Sequence, residues 1–224
     1  MEGVRRWSSV ALLAGAALAL VTGAHELAAQ GEDHNGKPTR AEVLRGREIV
    51  ITRGCGGCHS ATLDMAQPGW LAGKTIPLQE FLIGPCALDS KAQPCFHTRP
   101  RNLTPDNVTG IGRFSRRQIF NALRFGLRPG ETPDVEITST TPGKGNFPVT
   151  PRYLAPPMPW PEWRHMTDQQ LWDITAYLKH GLKPFTNQVE DSEGPPDFWA
   201  SAYTPKDIGM YPAQKYPTAT EKLP

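Results

Sequence analysis

Five consecutive residues, Cys55-Gly56-Gly57-Cys58-His59, constrain this chain of 224 residues more than any other feature. Two thiols three positions apart can reach the two vinyl groups on one edge of a porphyrin, and the next residue then offers its imidazole to the iron. The intervening glycines let the backbone turn tightly beside a flat cofactor. The motif therefore predicts one covalently attached haem c, with Cys55 and Cys58 as attachment points and His59 as the first axial ligand.

Two other kinds of site use paired cysteines, and the surrounding sequence fits neither well. A structural zinc site needs four ligands, and only Cys86 and Cys95 could complete one, at a spacing that matches no common zinc pattern. A thioredoxin-type pair should follow a strand within a βαβ unit, whereas a predicted helix precedes Cys55. The motif occurs once, which predicts a single haem.

The N-terminal residues 1–29 have the pattern of an export signal. Two arginines precede an apolar run and then small residues, with cleavage expected after Ala24 or Ala29. The alternative is an uncleaved membrane anchor, but the run is about a dozen residues long and a span needs roughly 20. We therefore expect a periplasmic protein, with residues 30–38 as a polar linker.

Cys86 and Cys95 are the two cysteines outside the motif. An exported protein matures in an oxidising compartment, so an even remaining pair predicts a disulfide. Such a bond would close a short loop in a proline-rich region and reduce its conformational freedom. Two free thiols or a metal site remain the alternatives at this point.

Three hydroxyl residues, Thr39, Ser115 and Thr167, are each followed three positions later by Glu or Gln, which is the capping-box pattern of a helix start. The 23 prolines and 21 glycines predict long irregular connections between these helices. Residues 185–224 are polar and rich in proline, and predict an extended, partly disordered tail. The formal net charge of only +2 gives no indication of nucleic-acid binding.

Met158 is the candidate for the second axial ligand of the iron. It lies between prolines in Pro156-Pro157-Met158-Pro159, shortly before the last predicted helix, and its neighbours would fix the backbone and hold the thioether in place. A thioether ligand raises the reduction potential relative to a second imidazole. Met166 and His165 are the alternative ligands, and a buried methionine that fills a core gap is the alternative role for Met158.

The helix before Cys55, the haem motif, the Met158 loop and a final helix with Tyr177-Leu178 resemble a class I c-type cytochrome with one haem. The resemblance implies an all-α cytochrome c fold, with three main helices around the haem and long loops, over residues 39–184. It also implies that a small residue of the first helix, Gly46, meets Tyr177 of the last.

The turn Asn102-Leu103-Thr104-Pro105-Asp106 is similar to that in cytochrome c domains associated with bacterial periplasmic dehydrogenases. This narrower resemblance implies a one-electron carrier, not itself an enzyme, that passes electrons between a dehydrogenase or respiratory complex and an acceptor such as an oxidase. It could act alone or as a subunit of a larger complex. The resemblance also places Asn102 and Trp160 near the haem pocket. A haem enzyme or ligand sensor with a displaceable sixth ligand is the alternative function.

Seven arginines occur between Arg99 and Arg128, where Asp106 is the one acidic residue. They predict either solvated helix surface and haem-propionate partners or a basic docking patch for an acidic redox partner. A docking patch would accelerate encounter in a salt-dependent way.

Overall fold

Three helices begin at the capping boxes found in the sequence. The computed structural model describes residues 36–62, 64–74, 81–89, 91–194 and 199–223. Helix α1 spans Arg40–Thr52, and its cap is reciprocal, because the Glu42 amide donates to Thr39 Oγ1 at 3.2 Å and the Thr39 amide donates to Glu42 Oε2 at 2.6 Å. The predicted export signal, and most of the predicted linker, lie outside the described residues.

The later capping boxes are confirmed in the same way. After α1 comes the short helix α2, Cys55–His59. Ser115 caps α3, which spans Arg116–Phe125 and ends at Gly126, where a φ of 67° suits a residue without a side chain. A short helix, α4, spans Trp160–Trp163, and Thr167 caps α5, Asp168–Ala176, which continues into a π-helical turn over Tyr177–Gly181.

Helices α1 and α5 cross at Gly46. A Cβ at this position would lie 1.8 Å from the Asp173 carbonyl oxygen and 2.9 Å from Tyr177 Cβ, so only glycine allows the two backbones to approach this closely. Beside the crossing, Arg45 Nε donates to Asp173 Oδ2 at 2.7 Å. The predicted meeting of Gly46 with Tyr177 is confirmed.

The all-α fold prediction is wrong. Strand β1, Phe81–Ile83, pairs antiparallel with β2, Phe96–Thr98, in the register Phe81↔Thr98, Leu82↔His97 and Ile83↔Phe96. The helices of the described chain are short, and long irregular segments separate them. Aromatic and β-branched residues suit these strands, and the prolines and glycines around them prevent a continuous helix.

The predicted Cys86–Cys95 disulfide is present between the two strands, with the Cα atoms 5.4 Å apart. Cys86 follows β1 in a 3₁₀ turn, Pro85–Ala87, and Cys95 immediately precedes β2. Both sulfur atoms are therefore committed to each other, which removes them as zinc ligands. The bond closes the connection between the strands.

Two apolar clusters form the interior. The first cluster lies among α1, α3 and α5 and consists of Val50, Leu71, Ile111, Ile119, Phe120, Leu123, Trp163, Met166, Leu171, Trp172, Ile174, Tyr177 and Leu178. The second cluster consists of Ile83, Phe96, Phe125, Leu127, Ile137, Phe147, Tyr153, Trp160 and Trp199.

Residues after 184, whose composition predicts an extended tail, contribute to this interior. Val189 and Trp199 are buried, and the tail adds a 3₁₀ turn over Ala200–Tyr203 and helix α6, Pro205–Ile208. They belong to the same compact unit, His34–Pro224, as the helices. No helix in the described part of the chain is both long and apolar enough to cross a bilayer.

Candidate functional site

The Cys-Gly-Gly-Cys-His motif forms a helix of one turn, α2, directly after α1. Gly54 makes the corner between them with a left-handed backbone at φ 68°. Cys55 and Cys58 both remain free thiols and are half-buried. Because residues three apart lie on the same side of a helix, the two thiols face one direction.

The His59 imidazole is held by a backbone carbonyl. Its Nδ1 lies 2.8 Å from the carbonyl oxygen of Arg101. A carbonyl can only accept, so Nδ1 carries the proton and Nε2 keeps its lone pair for a metal. Burial lowers the pKa of His59, which favours this neutral form despite the opposing effect of the hydrogen bond.

Burial also controls the chemistry of Cys55. Loss of solvent raises the pKa of its thiol to about 11, and the neighbouring Cys58 acts in the same direction. The side chain is therefore a neutral thiol beside the first cluster, where it packs with other half-buried residues.

An aromatic side chain, Trp70, lies against the motif. Trp70, Leu103 and Phe114 are half-buried and pack, like Cys55, against the first cluster. A Cβ on Gly56 would lie 2.1 Å from the Trp70 ring, so this position requires glycine. The motif thus combines an aromatic ring packed on its helix with an available imidazole nitrogen.

Met158 borders the same cluster as Cys55. Its amide donates to the Ala155 carbonyl at 2.9 Å, and its own carbonyl accepts from the Trp160 amide at 2.9 Å, which closes a tight turn around the prolines. Met158 is half-buried, whereas Met166 is buried within the cluster and His165 is exposed. Met166 therefore has the packing of a core residue, while Met158 lies at the edge of the core.

Asn102 is fully buried, and its hydrogen-bonding groups all have protein partners. Its Nδ2 donates to Thr109 Oγ1 at 2.9 Å and to the Phe185 carbonyl at 2.8 Å. Its Oδ1 accepts from the backbone amide and hydroxyl of Thr104 at 2.9 and 2.8 Å. Asn102 thus joins its own turn to the chain after α5, and its role in a haem pocket stays a prediction.

Trp160 lies in the second cluster, whereas Cys55 and Met158 border the first. Its indole stacks on Tyr153 at a centroid distance of 5.8 Å and meets Tyr203 edge-on at 4.9 Å. The ring also covers Gly126, where a Cβ would lie 2.1 Å from it. Trp160 thus packs within the second cluster, and its role in a haem pocket stays a prediction.

Sequence reasoning missed the Arg101 carbonyl as the partner of His59, because a backbone acceptor leaves no signal in the sequence. Among the residues that the structure describes, no group of three or more His, Cys, Asp or Glu side chains could hold a metal ion. The motif itself therefore offers one imidazole nitrogen and two thiols.

The comparisons with known proteins point to one class of protein. The chain is 28% identical over 179 residues to the gluconate 2-dehydrogenase cytochrome c subunit of Pantoea cypripedii, covering 80% of this chain and 31% of that protein. It is 25% identical over 145 residues to the fructose dehydrogenase cytochrome subunit of Gluconobacter japonicus, covering 65% and 22%.

A third relative is the cytochrome c subunit of the quinone-dependent alcohol dehydrogenase of Gluconacetobacter polyoxogenes, 24% identical over 182 residues, covering 77% of this chain and 31% of that subunit. The chain is similar to cytochrome c subunits of dehydrogenases. It spans less than a third of the length of each of these relatives. No family model matches the sequence.

These similarities support a relationship to cytochromes c and imply haem c as the cofactor. The residues present fit that group. Cys55 and Cys58 are free and share one side of a single helical turn. His59 has its Nδ1 proton engaged and its Nε2 available, and apolar side chains adjoin the motif.

Proposed function

We propose that this protein is a periplasmic one-electron carrier that holds a single covalent haem c, with His59 and Met158 as axial ligands. The observation that carries the proposal is the His59 tautomer: the Arg101 carbonyl holds the Nδ1 proton, so Nε2 is the free donor, next to two unpaired thiols. The similarity to cytochrome subunits supports the same function.

Each residue of the motif has a distinct role in this proposal. Cys55 and Cys58 anchor the haem through thioether bonds, and His59 is directed by its hydrogen bond to Arg101. The bound haem supplies a reversible one-electron couple at its iron. Trp70, which packs on the motif at Gly56, would keep water from it, and a drier environment favours the less charged, reduced state.

Met158 is the proposed second ligand because it lies at the border of the first cluster in a turn that prolines and two backbone hydrogen bonds restrict. Replacing Met158 with alanine should abolish the weak long-wavelength sulfur-to-iron absorption band of the ferric protein and lower its reduction potential. The matched control is Met166→Leu, which keeps a core side chain of similar volume and should leave the band in place.

The outcome that contradicts the ligand assignment is a Met158→Ala protein whose band and potential match those of the wild type.

Covalent attachment has its own test, because Cys55→Ala with Cys58→Ala should remove haem staining from the denatured chain. A high-spin ferric protein that binds carbon monoxide rapidly would instead support the haem-enzyme or sensor alternative.

The proposed electron donor is a periplasmic dehydrogenase, since the relatives are cytochrome subunits of gluconate, fructose and alcohol dehydrogenases. The acceptor would be a respiratory complex or an oxidase. The test is reduction of the purified ferric protein by membranes of its source organism after addition of gluconate, fructose or ethanol. An unchanged spectrum with all of these electron sources would count against such a partner.

A further inference from the structure

The chain after α5 lies against the segment that supports His59. We call residues 185–193 the C-terminal strap. Glu193 and His97 exchange two backbone hydrogen bonds of 2.8 and 2.9 Å, and the hydroxyls of Ser192 and Thr98 lie 3.1 Å apart. The strap therefore runs antiparallel to residues 97–101, the segment that ends at the His59 acceptor.

Two arginines of that segment donate to the strap. Arg99 Nη1 donates to the Asp191 carbonyl at 2.8 Å. Arg101 Nη1 donates to the Val189 carbonyl at 3.0 Å, and its Nη2 donates to Asp191 Oδ1 at 3.1 Å. The residue whose carbonyl holds His59 is thus itself fixed through its side chain.

The strap also packs on the segment that contacts the backbone of His59. The Gly73 amide donates to the His59 carbonyl at 2.7 Å, and the Lys74 amide donates to the Pro100 carbonyl at 3.4 Å. Val189 is buried against this segment, where a Cβ on Gly73 would lie 2.6 Å from Val189 Cγ2. Asn187 Nδ2 adds a hydrogen bond to the Ala72 carbonyl at 2.8 Å.

From these contacts we infer that Arg101, tied down by the strap, is a positioning residue that fixes the orientation of the His59 imidazole. The inference rests on the proposed function, in which His59 ligates the iron. A firm hydrogen bond at Nδ1 makes an imidazole a stronger donor to its metal and favours the oxidised state. Loosening Arg101 should weaken that bond and raise the reduction potential.

The test is Arg101→Ala in the full-length, haem-loaded protein. The alanine keeps the carbonyl but removes both donors to the strap. In the reduced protein we expect hydrogen exchange at His59 Nδ1–H, followed by NMR, to become about tenfold faster, because the bond opens more often. We also expect the equilibrium constant for reduction to rise about threefold, which for one electron is about 28 mV.

The matched control is Arg113→Ala. Arg113 is an exposed arginine that donates at 3.2 Å to the Val108 carbonyl, outside the strap. The Arg113→Ala variant should keep the wild-type exchange rate at His59 Nδ1–H and the wild-type reduction potential. Arg101→Lys keeps the charge and one set of donors, and should restore part of the protection.

If Arg101→Ala does not fold, Asp191→Ala gives the answer, since it removes one acceptor and should speed the exchange about threefold. If the folded variants keep the wild-type exchange rate at His59 Nδ1–H and the wild-type reduction potential, the positioning role is wrong. The unchanged haem spectrum would then still support the proposed function. A wild-type protein with no haem c bands would overturn the proposed function itself, so the two failures are distinguishable.

Discussion

Single buried polar side chains organise the loop that follows the haem motif. Asp106 Oδ1 accepts from the amides of Val108 and Thr109 at 3.1 and 2.6 Å and from the Thr109 hydroxyl at 2.8 Å. Its Oδ2 accepts from Thr186 Oγ1 at 2.9 Å. One carboxylate thereby closes a turn and attaches the chain after α5 to it.

These hydrogen bonds make the stability of the fold depend on pH. The amide and hydroxyl of Thr109 are the main cause that lowers the pKa of Asp106 to about 2. Because the folded pKa lies below the ordinary value of about 3.9, the carboxylate stabilises the fold above that pH, and the contribution is lost as the pH falls towards 2. Asp106→Asn should therefore lower the urea midpoint at pH 7 and have little effect near pH 2.

Urea titrations of both proteins at several pH values check this expectation. A midpoint difference that stays constant from pH 7 to pH 2 would show that the carboxylate charge does not contribute. A bound haem would absorb in both the folded and the unfolded protein, so far-ultraviolet circular dichroism is the suitable probe of unfolding.

The candidate site was partly predictable at this scale. Cys55, Cys58 and His59 follow from spacing alone, because covalent attachment requires those side chains at those positions. Two hydrogen bonds could not be predicted, because each joins residues that are distant in the chain. They are the bond between His59 and the Arg101 carbonyl and the bond from Asn102 to the Phe185 carbonyl.

At the scale of elements, the crossing of α1 and α5 connects the haem motif to the rest of the core. Helix α1 leads directly into α2, and α5 precedes the strap. Gly46 sets the separation of the two helices through its contact with the Asp173 carbonyl. A change there should separate the helices that hold the motif.

We expect Gly46→Ala to reduce the free energy of unfolding by about 1–3 kcal/mol, because the added methyl group overlaps the backbone of α5. Leu44→Ala is the matched control on the same helix, since Leu44 is 53% exposed and its loss should change stability little. Urea denaturation measures both. Equal stability of the two variants would mean that the helices adjust without cost.

The start of each main helix was predictable because a capping box is local chemistry within four residues. The β1–β2 pair was not, since each strand has only three residues and their pairing depends on contacts across the intervening loop. The disulfide was predictable as a pairing, from compartment and cysteine count, but the sequence did not reveal the strands on either side of it.

At the scale of the whole molecule, three of the seven arginines in the arginine-rich stretch are internal. Arg99, Arg116 and Arg124 are all buried. Arg124 donates to the Met166 carbonyl at 2.9 Å, and Arg116 donates to the Gly36 carbonyl at 2.9 Å. These three side chains hold segments of the fold together, which leaves them out of any docking patch.

The second cluster makes the last part of the chain a structural component. Trp199 is 6% exposed and meets Phe96 of β2 edge-on at 4.8 Å. Trp199→Ala should lower the free energy of unfolding by about 3–5 kcal/mol, as for other large aromatic residues removed from a core. Met210→Ala is the control, since Met210 is 62% exposed.

Chemical denaturation of the two variants measures the difference. If Trp199→Ala is as stable as Met210→Ala, the final segment is a removable extension, as its proline content and polarity predict. The sequence could not distinguish these cases, because one buried tryptophan among prolines has no periodic pattern around it.

The contacts of the strap also bear on how such a segment changes during evolution. Arg99 and Arg101 donate to the carbonyl oxygens of Asp191 and Val189, and His97 pairs with the backbone of Glu193. Main-chain acceptors are present whatever the side chain. We therefore expect related proteins to retain the two arginines and the length of the strap, while strap side chains that make no contact of their own vary freely.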